Sequence, residues 1–238
     1  YSSFDHFAKV KADIVLNLDN LSEIQKTAEL NTASDTYPTL AQWDTINNLD
    51  ADASNNVTSS TLAAINSLLN TSVVTGAVVT NTTDLRALVA LYNEVLTAAT
   101  SGGTAVALTQ SEYESIGVAG FSATATRATA EVAVLNEVIS SFADNTKVDR
   151  LNEVVDIRKA VSALIDTVEG KTPAITKSQL GLLGFDIDNA DGDVNTPSVT
   201  DDNLSAIQAA LVGVDVSINY DAVDTLSEVQ AVINGAIT

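Results

Sequence analysis

Cysteine and methionine are both missing from this 238-residue chain, and histidine and tryptophan occur once each. Without cysteine there can be no disulfides, thiolate metal sites or cysteine nucleophiles. The single histidine, His6, is the only imidazole a Ser-His-Asp system could use, and it sits in the terminal stretch YSSFDHFAK, a poor place for a rigid catalytic base. Aromatic residues make up 5% of the chain, too few for the stacking platforms of most sugar-cleaving clefts, although 31 acidic residues offer many carboxylate pairs. With no nucleophile, base or cofactor motif in view, the chain reads as not an enzyme. Basic residues are scarce as well. Eleven Lys and Arg against 31 Asp and Glu give a net charge of −20, which repels nucleic acid and anionic membranes. No apolar run approaches the roughly 18–20 residues that cross a bilayer, so the chain reads as not membrane-spanning. An opening at Tyr1 rather than Met fits a processed or excised polypeptide, and the expected location is extracellular or on a cell surface.

What the sequence does contain is self-similarity. The segments LSEI (21–24), LRAL (85–88), LNEV (151–154) and LSEV (226–229) recur at intervals of 64, 66 and 75 residues. Asp19, Asp149 and Asp224 precede three of them by two residues, and Thr83 takes that place in the fourth. Short oxygen-bearing side chains there predict helix N-caps, and the apolar spacing after them predicts an amphipathic helix. A second repeated segment, TLAAINSLLN (61–70), EVAVLNEVIS (131–140) and NLSAIQAALV (203–212), aligns on Asn66, Asn136 and Gln208. A third, LAQWDTI (40–46), LTQSEYESIG (108–117) and ITKSQLGLLG (175–184), places Trp43, Tyr113 and Leu180 at one position, with core packing as the expected role.

These patterns predict a mainly α fold, a tandem array of small three-helix bundle units of about 60–75 residues, which gain stability by packing end to end. The predicted organisation is an N-terminal partial unit over 1–37 with a lone third helix, then units over 38–102, 103–171 and 172–238. Gly- and Pro-bearing seams at TSGGT (100–104) and EGKTP (169–173) mark boundaries. Short β-hairpins are an alternative for the Val- and Thr-rich connections 71–80 and 212–219. The lone helix near the N-terminus either caps the stack or belongs to a longer array, or else it docks on another subunit.

Taken together, ALTQSEYESIGVAG, NLSAIQAAL and VDTLSEVQAVI resemble the degenerate Ala-, Val- and Thr-rich helical repeats of large secreted or surface proteins of Gram-negative bacteria, adhesins and surface-layer-like proteins among them. The resemblance runs from about residue 38 to 238 and implies a structural or adhesive role at the cell surface. It brings no catalytic residues with it.

One stretch has ligand chemistry of its own. DIDNADGDVN gathers Asp186, Asp188, Asp191, Asp193 and Asn195 around Gly192, the hard oxygen set that Ca2+ prefers, although Ala190 and Asp191 break the EF-hand order. Asp50, Asp52 and Asn55 repeat part of that spacing in the first unit. The competing role for all eight is turn and cap formation through the neighbouring backbone. The expectation is a non-enzymatic extracellular structural protein, self-assembling head to tail or laterally into a filament, sheath or surface layer, with calcium as a stabiliser. The alternative is a monomeric spacer or ligand-binding segment of a giant bacterial adhesin.

Overall fold

The computed structural model describes residues 9, 11, 18–28, 37–47, 56–100, 107–189, 198–214 and 220–237. It is mainly helical. In chain order the helices are α1 (18–28), α2 (Leu40–Asn47), α3 (Leu62–Leu68), α4 (Thr82–Ala98), α5 (Gln110–Ser115), α6 (Ala125–Ser141), α7 (Leu151–Val168), α8 (Lys177–Leu182), α9 (Leu204–Val212) and α10 (Leu226–Ile237), with a 3-10 turn at Asn145–Lys147. Among the described residues there is no strand, only an isolated bridge between Ile187 and Val199.

Segments that align in sequence are built alike. Before α2, α5 and α8 stand Thr39, Thr109 and Thr176, and each exchanges hydrogen bonds with a Gln or Glu three residues on: Gln42, Glu112 and Gln179. This reciprocal cap satisfies amides that the first turn leaves open. One residue later come Trp43, Tyr113 and Leu180, all at most 1% exposed, as expected for core positions. The aligned amides then fasten the neighbouring helix. Asn66 accepts from Trp43 Nε1 at 3.0 Å and donates to the Pro38 carbonyl at 2.9 Å. Asn136 accepts from the Tyr113 hydroxyl at 2.8 Å and donates to the Leu108 carbonyl at 2.9 Å. Gln208 makes only the second of these bonds, to Ile175, because Leu180 has nothing to donate.

The helices do not separate into independent bundles. α7 touches α6 but also α3, α8 and α9, and α6 touches α4, α5 and α10. One apolar cluster runs from Ile24 in α1 to Ile233 in α10. α7 shows why: Leu151, Val154, Ile157, Val161, Leu164, Ile165 and Val168 recur at helical spacing and are all buried, each contributing roughly 1.5–3 kcal/mol.

Two ties of the same kind cross long stretches of sequence. The first free N–H of α7, on Leu151, donates to Ser67 Oγ at 2.9 Å, and that of α10, on Leu226, donates to Glu137 Oε2 at 2.7 Å. Ser67 and Glu137 each follow the aligned amide, Asn66 or Asn136. In α9 the position is Ala209, which has no acceptor to offer.

Several expectations change. The N-caps shift, because the helices start elsewhere than Asp149, Asp224, Asp19 and Thr83 imply. Arg150 precedes α7, Thr225 caps the turn into α10 through Glu228, Asp19 lies within α1, and Thr83 lies within α4, which starts earlier behind Asn81. Residues 71–80 form turns, not a hairpin: Val74 and Val79 are drawn into the core, and Thr71 and Thr75 take up local backbone bonds that a ladder would need. Most of 212–219 lies outside the described residues. α6 begins at Ala125, six residues ahead of the repeated segment 131–140. α1 packs on its own chain. Ile24 and Ala28 are buried, Asn20 donates to Thr45, and Gln25 donates to the Val79 carbonyl.

Candidate functional site

Of the residues nominated for calcium, Asp191, Asp193, Asn195, Asp50, Asp52 and Asn55 lie outside the described residues, as does His6. Asp186 and Asp188 are described. Their backbones clasp Val199: its N–H donates to the Asp186 carbonyl at 2.9 Å, and its carbonyl accepts from Asp188 N at 3.0 Å. Asp188 and Asn189 follow with φ of 55° and 58°, the left-handed turn that Asp and Asn tolerate best. The Asp188 carboxylate meets Lys177 Nζ at 2.9 Å, and the same ammonium meets Asp201 at 2.9 Å. Those two carboxylates, Asp201 most of all, raise the Lys177 pKa. A side-chain ammonium thus already stands between two acids here. Among the described residues no group of three His, Cys, Asp or Glu side chains is placed to hold a metal ion.

A second concentration of charge is buried at the junction of α6, α7 and the turn after α7. Glu131 is fully enclosed, and its carboxylate accepts from Arg127 Nε at 2.9 Å and from the Ser122 amide at 2.8 Å. Arg127, 8% exposed, also reaches Asp166 at 2.8 Å and Glu169 at 2.5 Å. Lys171 joins Glu169 from the solvent side, and the Tyr220 hydroxyl donates to the other Glu169 oxygen, which ties the connection before α10 to the end of α7. Burial works against the Arg127 charge, but Asp166 and Glu131 outweigh it and raise its pKa. Burial and the Glu169 hydrogen bond push Tyr220 up to about 12. Every ion in this group faces a partner, which is the arrangement of a structural clasp rather than of an acid or base held in reserve. Reading the repeat alone misses it. The signal was the i, i+4 pair Arg127/Glu131 inside a run of Ala and Thr, which helix spacing places on one face.

A third feature is open to solvent. Where α3 meets the N-terminal half of α7, a cleft of about 770 Å³ is lined by Tyr37 and Asn70, by Arg150, Asp156 and Lys159 of the α7 side, and by aliphatic Leu62 and Val155. Asn70 donates to the Tyr37 hydroxyl at 3.4 Å, and Lys159 pairs with Asp156 at 2.8 Å. Gly117 lines the cleft as well. Its φ of 97° completes the turn after α5, and its Cα packs so near Leu151 and Thr71 that a Cβ would lie 3.2–3.3 Å from them.

No helix among the described residues is long and apolar enough to cross a membrane. No family model, curated protein or solved structure matches this chain.

Proposed function

We propose that this chain is a non-enzymatic structural segment of a bacterial cell-surface protein, a spacer built from three-helix units stacked in series. The units would span 38–102, 103–171 and 172–238, with the helix of 1–37 covering the first. The observation that carries this reading is the pair of matched ties, Leu151 to Ser67 and Leu226 to Glu137, which bind the third helix of one unit to the second helix of the unit before it. Units fastened in this way resist bending apart at their seams, as a spacer requires.

A self-assembling filament or surface layer, calcium-stabilised, is the other reading, and the acidic surface favours it, since divalent cations relieve repulsion between chains carrying −20 each. Ala209 argues for the spacer. At the place of Ser67 and Glu137 it offers no side-chain acceptor, so a second copy stacked onto α9 would not make the tie that fastens the internal junctions.

Light scattering of the purified chain in calcium and then in chelator tests the proposal. A monomer in both conditions is the expected result. Large assemblies, visible as fibres or lattices by electron microscopy, would overturn the spacer reading in favour of the filament or layer.

A further inference from the structure

We infer that the cleft between α3 and α7 binds a saccharide bearing a carboxylate. The inference stands apart from the spacer reading and starts from a comparison inside the chain. The α3–α7 junction recurs as the α6–α10 junction, with Ser67 matched by Glu137, Leu151 by Leu226 and Gly117 by Gly184. The scaffold therefore appears twice, and residues it needs for packing should have counterparts of the same kind.

Five residues of the cleft do not: Val155 is matched by Gln230, and the other four carry an aromatic ring or a charge. Tyr37, Arg150, Asp156 and Lys159 correspond to Ala107, Thr225, Ala231 and Asn234 at the second junction. The second junction packs without an aromatic and without these charges, so packing does not account for them at the first. Tyr37 stands 39% exposed, and two of the chain's 11 basic residues face one cleft.

Their chemistry names a ligand class. An exposed tyrosine ring in the same cleft as aliphatic Leu62 and Val155 suits the C–H face of a pyranose, while the amides of Asn70 and Asn152 supply mixed donors and acceptors for ring hydroxyls. The planar Arg150 guanidinium pairs two-pronged with a carboxylate. Lys159, tied to Asp156, offers a donor and an acceptor rather than a bare charge. The volume, about 770 Å³, lies within the roughly 300–1,000 Å³ of small-ligand sites and would admit a disaccharide.

The test is an NMR titration of the whole isotope-labelled chain with digalacturonic acid and, separately, with the neutral disaccharide galactobiose. The expected result is saturable shifts at Tyr37, Asn70 and Arg150, with the acid binding on the order of tenfold more tightly than the neutral sugar, about what one good charge-assisted pair contributes. Arg150→Thr and Tyr37→Ala install the residues of the second junction, and unchanged thermal midpoints are expected to show that both fold. Arg150→Thr should remove the preference for the acid, and Tyr37→Ala should weaken both sugars. Absence of shifts at millimolar sugar, shifts confined to other residues, or equal binding of acid and neutral forms would each overturn the inference. So would unaltered binding by Arg150→Thr. None of these outcomes bears on whether the chain is monomeric.

Discussion

The backbone N–H of Leu151 donates to the hydroxyl of Ser67, 84 residues earlier in the chain. Helix N-termini usually find such an acceptor in their own preceding residue. Here the acceptor belongs to a different helix, so the start of α7 is fixed by its seat on α3. α4, at the aligned position, begins three residues earlier and supplies its own cap, with Asn81 accepting from Asp84 N at 3.0 Å.

Removing the acceptor should therefore loosen a junction rather than a helix. Ser67→Ala is expected to cost about 1–2 kcal/mol, the range for a lost cap, and Glu137→Ala a similar amount at the second junction. Glu137→Gln keeps an acceptor oxygen and should cost less than half as much. Urea unfolding of the three variants is the measurement. Equal losses for Glu137→Gln and Glu137→Ala would show that the tie to Leu226 is not what matters.

The amide clamps should rank by how many groups they satisfy. Asn66→Ala leaves both Trp43 Nε1 and the Pro38 carbonyl without a partner in a buried place, an expected loss of about 2–4 kcal/mol. Gln208→Ala strands only the Ile175 carbonyl and should cost about 1 kcal/mol. Calorimetric or denaturant stabilities in the reverse order would count against the clamp as the reason for the conserved geometry of the three segments.

Arg127→Met leaves Glu131 enclosed without its guanidinium and should cost about 3–5 kcal/mol. Arg127→Met combined with Glu131→Leu removes both charges and should regain most of that loss. A double-mutant cycle reads the coupling directly. If the double variant is no more stable than the single one, the pair is not coupled in the way its geometry requires.

Acid should act through two carboxyls whose pKa values are shifted in opposite directions. Burial works to raise the Glu169 pKa, but Lys171, Tyr220 and Arg127 outweigh it and hold the carboxyl below its ordinary value. Its contribution is therefore present above the unfolded value near ~4.3 and is lost as pH falls through the lower, folded value. Asp224 is raised, by burial first and then by Glu228, so its charge costs stability at neutral pH and acidification relieves that cost. Glu169→Gln should flatten the acid limb of a stability–pH curve, whereas Asp224→Asn should stabilise the chain at pH 7. A curve unchanged by Glu169→Gln below pH 4 would exclude this account of the acid limb.

Much of the helical pattern was legible because it rests on local rules. Trp43 and Tyr113 follow from apolar spacing one turn deep, whereas the Thr-x-x-Gln/Glu caps before α2, α5 and α8, though only four residues long, emerged with the structure. The N-caps of α4, α7 and α10 were misplaced by one or two residues, since Asp and Thr serve equally at neighbouring positions and the choice falls to what the first amide can reach. Residues 71–80 carry the β-branched content of a strand, and sequence cannot tell a strand from a turn whose valines are pulled inward by α4 and its neighbours. The site was less legible still. Tyr37, Asn70 and Arg150 lie far apart in the chain and meet only where α3 and α7 pack.

By itself, then, the sequence determined where helices recur, which of their faces are apolar and how acidic the surface is, because periodicity, capping chemistry and charge act within a turn or two of chain. Tertiary structure decided how the helices join. Ser67 becomes a cap for Leu151, Arg127 becomes a buried clasp, and Lys177 becomes the cation beside Asp188 only once segments distant in sequence are brought within hydrogen-bond reach. Such contacts depend on directional bonds of about 3 Å, and no local pattern encodes which distant partner will supply them.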